Sequence, residues 1–394
     1  MQKANNRFAA RKLEEKLSRF FDYNLIVIVL FLIVFGLVMI YSTSSYEAYV
    51  TFDGDASYYV RKQVFASIVG LVAMVILALI PYHLWDKLAY VAYAVSVLMI
   101  FLIIPFGYEA NGAKRWIRIM GISVQPAEIA KVGMIIFLAF YINKMGRKTA
   151  SLKGLIIILG IISPVCIMLW RITSNLSSAI IVACIAVLMV FVSTPGYKRF
   201  IVLGLIVAGV AAIAVGIIVA NASTAATGEL AGFRGARVLA WLDPEKYASG
   251  KGFQTIQALY AIGSGGFFGK GLGESMQKLG FLPEAQNDMI FSIICEELGL
   301  FGGFALILLF IILIWRLKFI ADNAPDLYGA LLVVGVLGHI AIQVILNIAV
   351  VTNTIPNTGI SLPFISYGGS ASVFLLIEIG ICLSVARGIR VRDF

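Results

Sequence analysis

This chain is poor in charge, cysteine and histidine. Only 13% of its 394 residues are charged and 60% are hydrophobic, at a mean hydropathy of +0.95. A soluble domain carries roughly a quarter charged residues, so a soluble globule is excluded. The four cysteines (Cys166, Cys184, Cys295 and Cys382) all fall inside apolar runs, which argues against a disulfide framework or a metal site and for small core hydrophobes. His83 and His339 stand alone in the sequence, leaving no histidine cluster for zinc. Internal repeats, low-complexity tracts and a soluble domain are all lacking, and no connection on the cytoplasmic side is long enough for a nucleotide-binding fold. Gly265-Gly266-Phe267-Phe268-Gly269-Lys270-Gly271 superficially resembles a phosphate loop, but no Ser or Thr follows the lysine and no strand precedes it. No nucleic-acid partner is expected.

What the chain has instead is a succession of apolar runs, each near the roughly 20 residues that cross a bilayer core. Ten are predicted, at about 24–42, 64–80, 88–104, 127–143, 155–170, 176–193, 200–220, 289–315, 329–350 and 371–386. The fold expected is an all-α polytopic integral membrane protein. Residues 1–23 form a basic tail whose Phe8, Leu13, Leu17, Phe20 and Phe21 can share one helical face, suiting either a membrane-surface helix or a solvated tail. Residues 24–386 make the membrane domain, in which 221–288 is a large outer loop between helices 7 and 8, and 387–394 is a second basic tail. With both termini inside, cytoplasmic segments carry 18 Lys and Arg against 12 outside, the orientation favoured by the positive-inside rule.

Three outer connections look like more than linkers: 107–126, the long loop, and 352–370. The last contains Ile355-Pro356-Asn357-Thr358-Gly359 and Ser366-Tyr367-Gly368-Gly369-Ser370. It cannot continue a helix, yet it is apolar enough to dip into the membrane as a re-entrant segment, which is tolerated only against protein or a wet cavity.

Asp288 stands where the long loop meets the eighth span. It suits a helix N-cap and equally a general base at the water–lipid boundary. Glu128 and Lys131, spaced i, i+3, share a helix face, either as a self-neutralising pair or with Lys131 reaching an anionic substrate group. Glu296 and Glu297, about 12 Å along the eighth helix at 1.5 Å per residue, are expected near mid-membrane in a polar network, and Glu378 likewise. Lys114, Arg115, Arg118, Arg234, Arg237, Lys270 and Lys278 lie outside, against the usual charge bias. They are either scattered solvated charges or a cluster able to grip pyrophosphate by charge-assisted hydrogen bonds. Trp116 and Trp241 suit interfacial anchors.

In this order, Asn111-Gly112-Ala113-Lys114-Arg115-Trp116-Ile117, Gln125-Pro126-Ala127-Glu128-Ile129-Ala130-Lys131, the stretches 237–244, 252–266 and 282–299, and Leu362-Pro363-Phe364-Ile365-Ser366-Tyr367-Gly368-Gly369-Ser370 are specific as a set. With them the chain resembles the SEDS proteins, the FtsW/RodA/SpoVE family of bacterial peptidoglycan glycosyltransferases. The resemblance implies ten transmembrane helices and polymerisation of lipid II into nascent glycan at the outer face of the cytoplasmic (inner) membrane. It puts the family's essential aspartate at Asp288 and its fourth-helix acid–base pair at Glu128 and Lys131. The substrate- and pyrophosphate-binding set expected with it is Lys131, Glu128, Arg115, Lys114, Arg237, Lys278, Ser366, Tyr367, Gly368 and Gly369.

The reaction implied is an inverting transfer in which undecaprenyl pyrophosphate departs with help from Lys131 and Arg115. A divalent cation, Mg2+ or Mn2+, is the one cofactor left open, with Asp288 its only candidate ligand. The implied partners are a class B penicillin-binding protein and other membrane proteins of the divisome. The run Asn347-Ile348-Ala349-Val350-Val351-Thr352 looks closer to the division or sporulation members than to the elongation member, which points to the division septum. Departures include Gln286-Asn287 before the aspartate, Gly280, Thr358, and Thr173-Ser174-Asn175-Leu176-Ser177-Ser178-Ala179 after the fifth span. The rival readings are a lipid II flippase, an elongation polymerase, and a scaffold that only recruits a transpeptidase.

Overall fold

The computed structural model describes residues 22–110, 113–119, 122–196, 198–224 and 232–389. Nearly all of the basic N-terminal tail, most of the C-terminal one, and Asn111 and Gly112 therefore lie outside the described residues. Among those described, ten helices are long and apolar enough to cross a membrane, and the chain is a multi-pass membrane protein. They are α1 (Tyr23–Thr51), α2 (Tyr58–Leu79), α3 (Ala89–Phe101, continued by a turn to Phe106), α4 (Pro126–Met145), α5 (Leu152–Arg171), α6 (Leu176–Ser193) and α7 (Lys198–Thr224). Two shorter helices of the long loop, α8 (Gly232–Leu242) and α9 (Lys251–Ser264), precede α10 (Ile290–Asp322), α11 (Leu327–Val351) and α12 (Gly369–Ala386).

Helix starts follow short polar side chains that satisfy the first free amides. Asp22 accepts from the Leu25 amide, Ser151 from Gly154, Asn175 from Ser178 and Asp326 from Gly329. Asn175 belongs to the stretch that departs from the family pattern, and capping α6 accounts for it. Large apolar side chains such as Val27, Phe31, Leu205, Phe304 and Trp315 face outward, and the apolar window of α7 is wholly unburied. This is the inverse of a soluble protein and what a lipid-facing surface requires.

The expectation of an all-α chain needs one correction. Connection 107–126 folds into a small antiparallel sheet in the order β1 (Gly107–Ala110), β2 (Ala113–Ile119), β3 (Ile122–Val124). The reason is legible in β2, where Lys114, Trp116 and Arg118 alternate with Arg115, Ile117 and Ile119 at the period of a strand. Trp116 stands opposite Tyr108, whose ring lies under Arg118 at 5.2 Å.

Segment 352–370 folds back against α1. A Cβ on Gly36 would come within 2.5 Å of the Phe364 carbonyl oxygen, so only glycine admits the approach. Gly36 is near the middle of α1, so the segment reaches about halfway along that helix. Phe364 itself has φ +63°, a conformation costly for a bulky residue.

Helix α10 is interrupted at Gly299, which has φ +70° and ψ −173°. Segment 264–280 of the long loop lies against the break. The amides of Lys270 and Gly271 donate to the carbonyls of Glu296 and Glu297, while Leu300 and Phe301 amides donate to Gly266 and Phe267. The carbonyls freed by the break are thus satisfied by loop backbone.

Candidate functional site

Asp288 does not cap α10. The cap position is Met289, which supplies no side-chain cap. The residue is instead held by its backbone: the Asn347 amide nitrogen, on α11, donates to the Asp288 carbonyl at 2.8 Å and to the Ile360 carbonyl at 2.7 Å. One turn below, Gln343 donates to the Ser361 carbonyl at 3.1 Å. Oδ1 of the carboxylate is sealed from solvent without a hydrogen-bond partner. Oδ2 faces the backbone of segment 352–370, where a Cβ on Gly359 would stand 3.8 Å from it. Although the residue keeps some surface, burial of the carboxyl pushes its pKa up to about 7, with the Glu284 charge adding to the rise and its own backbone amide and Arg237 opposing it. That is the ordinary response of a carboxylate taken out of water.

Around this carboxylate, segment 352–370 acts as a hub. Arg237 donates to the Asn357 carbonyl at 3.2 Å, and Trp241 exchanges hydrogen bonds with the backbone and side chain of Asn353. Trp241 is therefore a structural tie as well as an interfacial aromatic. Gln254 accepts from Asn357, and Ser177 at the head of α6 donates to the Thr358 carbonyl at 2.6 Å. Arg115 reaches the same end of α6, donating to the Ser174 carbonyl at 3.0 Å. Lys114 is exposed on β2.

Ser366, Tyr367, Gly368 and Gly369 form the wall beyond. Ser366 Oγ accepts from the Leu362 amide, the Tyr367 amide donates to the Gln286 carbonyl, and the Gly368 amide donates to Gln63 Oε1. Gly369 opens α12. These contacts fix the loop two residues before Asp288. Several buried side-chain oxygens here have no donor within the protein, among them those of Gln286, Asn287, Asn347 and Thr358. Buried oxygens without protein partners are ordinarily met by water or ligand, which marks the region around Asp288 as a polar cluster.

Other expected residues are committed elsewhere. Lys278 is buried, with Nζ 2.7 Å from Glu297 Oε1 and 3.0 Å from Ser42 Oγ, which itself donates to Glu297. Lys270 pairs with Glu296 at 2.6 Å, and Ser275, Met276 and Gln277 also donate to that carboxylate. The polar network expected for Glu296 and Glu297 is present, but the outer loop supplies it and it takes Lys278 out of the pool of free cations. Lys131 and Glu128 lie 2.8 Å apart in α4, both buried, so the pair is self-neutralising. His339 is not alone, since its Nδ1 lies 2.8 Å from Glu378 Oε2 across α11 and α12. Asn347 was missed by the sequence reading of the site. Its signal was the buried polar stripe His339, Gln343, Asn347, one turn apart on an otherwise apolar helix.

For a divalent cation, the donor set is Asp288 with Glu284 in its electrostatic neighbourhood. No three His, Cys, Asp or Glu side chains converge among the described residues. An apolar groove of about 480 Å³ lined by Asn24, Val27, Ile28, Ile312, Trp315, Arg316 and Phe319 lies at the opposite end of α1 and α10, away from this chemistry.

Residues 23–390 match the family profile FtsW/RodA/SpoVE, described as cell cycle protein. The chain belongs to this family, the SEDS proteins. It is 38% identical to stage V sporulation protein E of Bacillus subtilis, over 93% of this chain and 97% of the relative. It is 36% identical to a probable peptidoglycan glycosyltransferase FtsW of Trichlorobacter lovleyi, over 94% of each. Among solved structures it is similar to a chain of a peptidoglycan synthase complex that coordinates polymerization and crosslinking (TM-score 0.74, 28% identity, 93% of this chain and 98% of that one). It is also similar to the rod shape determining protein RodA of Thermus thermophilus (TM-score 0.66, 26% identity, 93% and 97%).

Proposed function

We propose that this SEDS protein is a peptidoglycan glycosyltransferase that polymerises lipid II at the outer face of the cytoplasmic membrane, with Asp288 as general base. The observation that carries the reading is a carboxylate whose Oδ1 has no hydrogen-bond partner, in a residue held by its backbone among other unsatisfied polar groups. In the transfer, Asp288 takes the proton of the C4 hydroxyl on the acceptor N-acetylglucosamine. That oxygen forms a bond to C1 of the donor N-acetylmuramic acid as the bond from C1 to the pyrophosphate oxygen breaks. Undecaprenyl pyrophosphate leaves with the electron pair, and the anomeric centre inverts. A base whose pKa lies near the working pH is well matched to this step, which typically gains about 10²- to 10⁴-fold.

Of the basic residues, Arg237, Arg115 and Lys114 are the candidates to lean on the diphosphate, whereas Lys131 and Lys278 each balance a buried glutamate. The SEDS signature Ser366-Tyr367-Gly368-Gly369 borders the polar cluster.

The geometry also supports the membrane placement. Asp22 and Arg316 join one end of α1 and α10 at 2.7 Å, and Ser42 and Glu297 join the other. At 1.5 Å per residue the two stretches are each about 30 Å, the thickness of a hydrocarbon core. Glu296 and Glu297 then sit at the outer boundary rather than mid-membrane. Asn347 lies about 31 Å along α11 from Asp326 by the same rise, which keeps Asp288 near that boundary. On this reading both ends of the membrane domain face the cytoplasm, and segment 352–370 is the re-entrant element.

Septal work with a class B penicillin-binding protein is the reading that similarity to FtsW and to the synthase complex favours. Lipid II polymerisation by the purified wild type and by Asp288→Asn, with and without that partner, tests the proposal. Loss of glycan product in a folded Asp288→Asn protein is expected, and normal product would refute it.

A further inference from the structure

The hydrogen bonds around Asp288 carry one inference more, which rests on the reading of Asp288 as base. We infer that Asn347 is the positioning residue for that base. A single side-chain nitrogen, wholly buried on α11, donates at 2.8 Å to the carbonyl of Asp288 and at 2.7 Å to that of Ile360. Because both of its hydrogens are spent on carbonyls, the orientation of the amide is fixed by its partners and not by choice of assignment.

The arrangement solves a chemical conflict. A general base must be placed to within a fraction of an ångström, yet every donor that grips the carboxylate lowers its basicity. Here the residue is gripped at its backbone, and carboxylate Oδ1 is left without a hydrogen-bond partner. The same nitrogen holds Ile360, one residue from Gly359, whose backbone passes beside Asp288 Oδ2. Asn347 therefore sets the distance between the base and the segment that faces it. Met289 supplies no side-chain cap to α10, so this contact replaces the anchorage a capping carboxylate would have provided.

Gln343 offers an internal control. It lies one turn away on the same face and holds the same segment at Ser361, but it makes no contact with Asp288. If Asn347 served only to pin segment 352–370, the two residues would behave alike.

The experiment is steady-state lipid II polymerisation by the full-length chain with its co-purified transpeptidase partner, comparing wild type, Asn347→Ala, Asn347→Ser, Gln343→Ala and Asp288→Asn, each checked by size exclusion and thermal unfolding. Misplacement of a reacting group by about 1 Å costs up to about 100-fold, so Asn347→Ala should lose about 10- to 100-fold in kcat with KM for lipid II nearly unchanged. Asn347→Ser keeps one donor and should recover part of that loss, which also covers the case in which the alanine variant does not fold. Gln343→Ala should stay close to wild type. Wild-type kcat in Asn347→Ala, a loss confined to KM, or an equal loss in Gln343→Ala would each overturn the inference. If Asp288→Asn is inactive while Asn347→Ala is fully active, this inference alone fails. If Asp288→Asn polymerises normally, the underlying reading fails with it.

Discussion

Lys278, on the outer loop, places its ammonium 2.7 Å from Glu297 and 3.0 Å from Ser42 of α1. All three groups are buried, so the loop, α1 and α10 meet in one charge-balanced contact. Removing one member of a buried pair typically costs about 3–5 kcal/mol, because the survivor is left charged and unpartnered. Lys278→Ala or Glu297→Gln should therefore lower the thermal midpoint of the detergent-solubilised protein strongly. The Lys278→Met, Glu297→Leu double variant should recover much of the loss. Equal midpoints in wild type and Lys278→Ala would show that the pair contributes nothing.

The Asp288 pKa of about 7 makes a signed prediction for activity. In the proposed mechanism Asp288 works ionised, so kcat/KM should fall as the pH drops through about 7 and level off above it. For stability the sign runs the other way. The folded-state value lies above that of an unfolded aspartate, near 3.9, so ionising Asp288 in the folded protein disfavours folding between those values and the full penalty is present above about 7. Asp288→Asn should accordingly raise the thermal midpoint more at pH 8 than at pH 5. A shift of the same size at both would contradict the burial that raises the group.

Two neighbours should move that profile in opposite directions. Arg237 holds the Asp288 pKa down and Glu284 pushes it up. Arg237→Ala should shift the acidic limb of the kcat/KM profile to higher pH, and Glu284→Gln should shift it lower. Arg237→Ala also forfeits the hydrogen bond to the Asn357 carbonyl, so an added loss of kcat at the plateau is expected. Profiles that coincide with wild type for both variants would remove these residues from the electrostatics of the base.

Gly36→Ala tests the seat of segment 352–370 on α1. The substitution favours the helix by up to about 1 kcal/mol in propensity, yet its methyl group would meet the Phe364 carbonyl at 2.5 Å. Overpacking of this kind costs about 1–3 kcal/mol, so the midpoint should fall and polymerisation with it. A rise in the midpoint would mean that the segment yields without loss.

Hydropathy alone made the spans legible, because each crossing requires a long apolar run whatever it packs against. The family motifs likewise located Asp288 and segment 352–370. The strand character of β2 was open to reading in its alternation, but the surrounding helical runs masked so short a signal. The partners of Glu296 and Glu297 were hidden for a different reason. Counting from Asp288 gives their distance along the helix, but not which loop residues pack beside the break at Gly299. Lys278 meets Glu297 only because the loop doubles back, a closure that no local pattern encodes. Asn347 carried a visible cue in its stripe on α11, but its role depends on which backbone carbonyls arrive opposite it.

The interruption at Gly299 has a bearing on bilayer thickness. Helix α10 has 33 residues, about 50 Å if continuous at 1.5 Å per residue, and a rigid rod of that length would carry its first residue well clear of a 30 Å hydrocarbon layer. With the rod jointed, the surplus folds aside and the altitude of the base is set by α11 through Asn347. The nine residues before the joint can thus leave the axis of the crossing, their height tied to α11 through the Asn347 contact with Asp288.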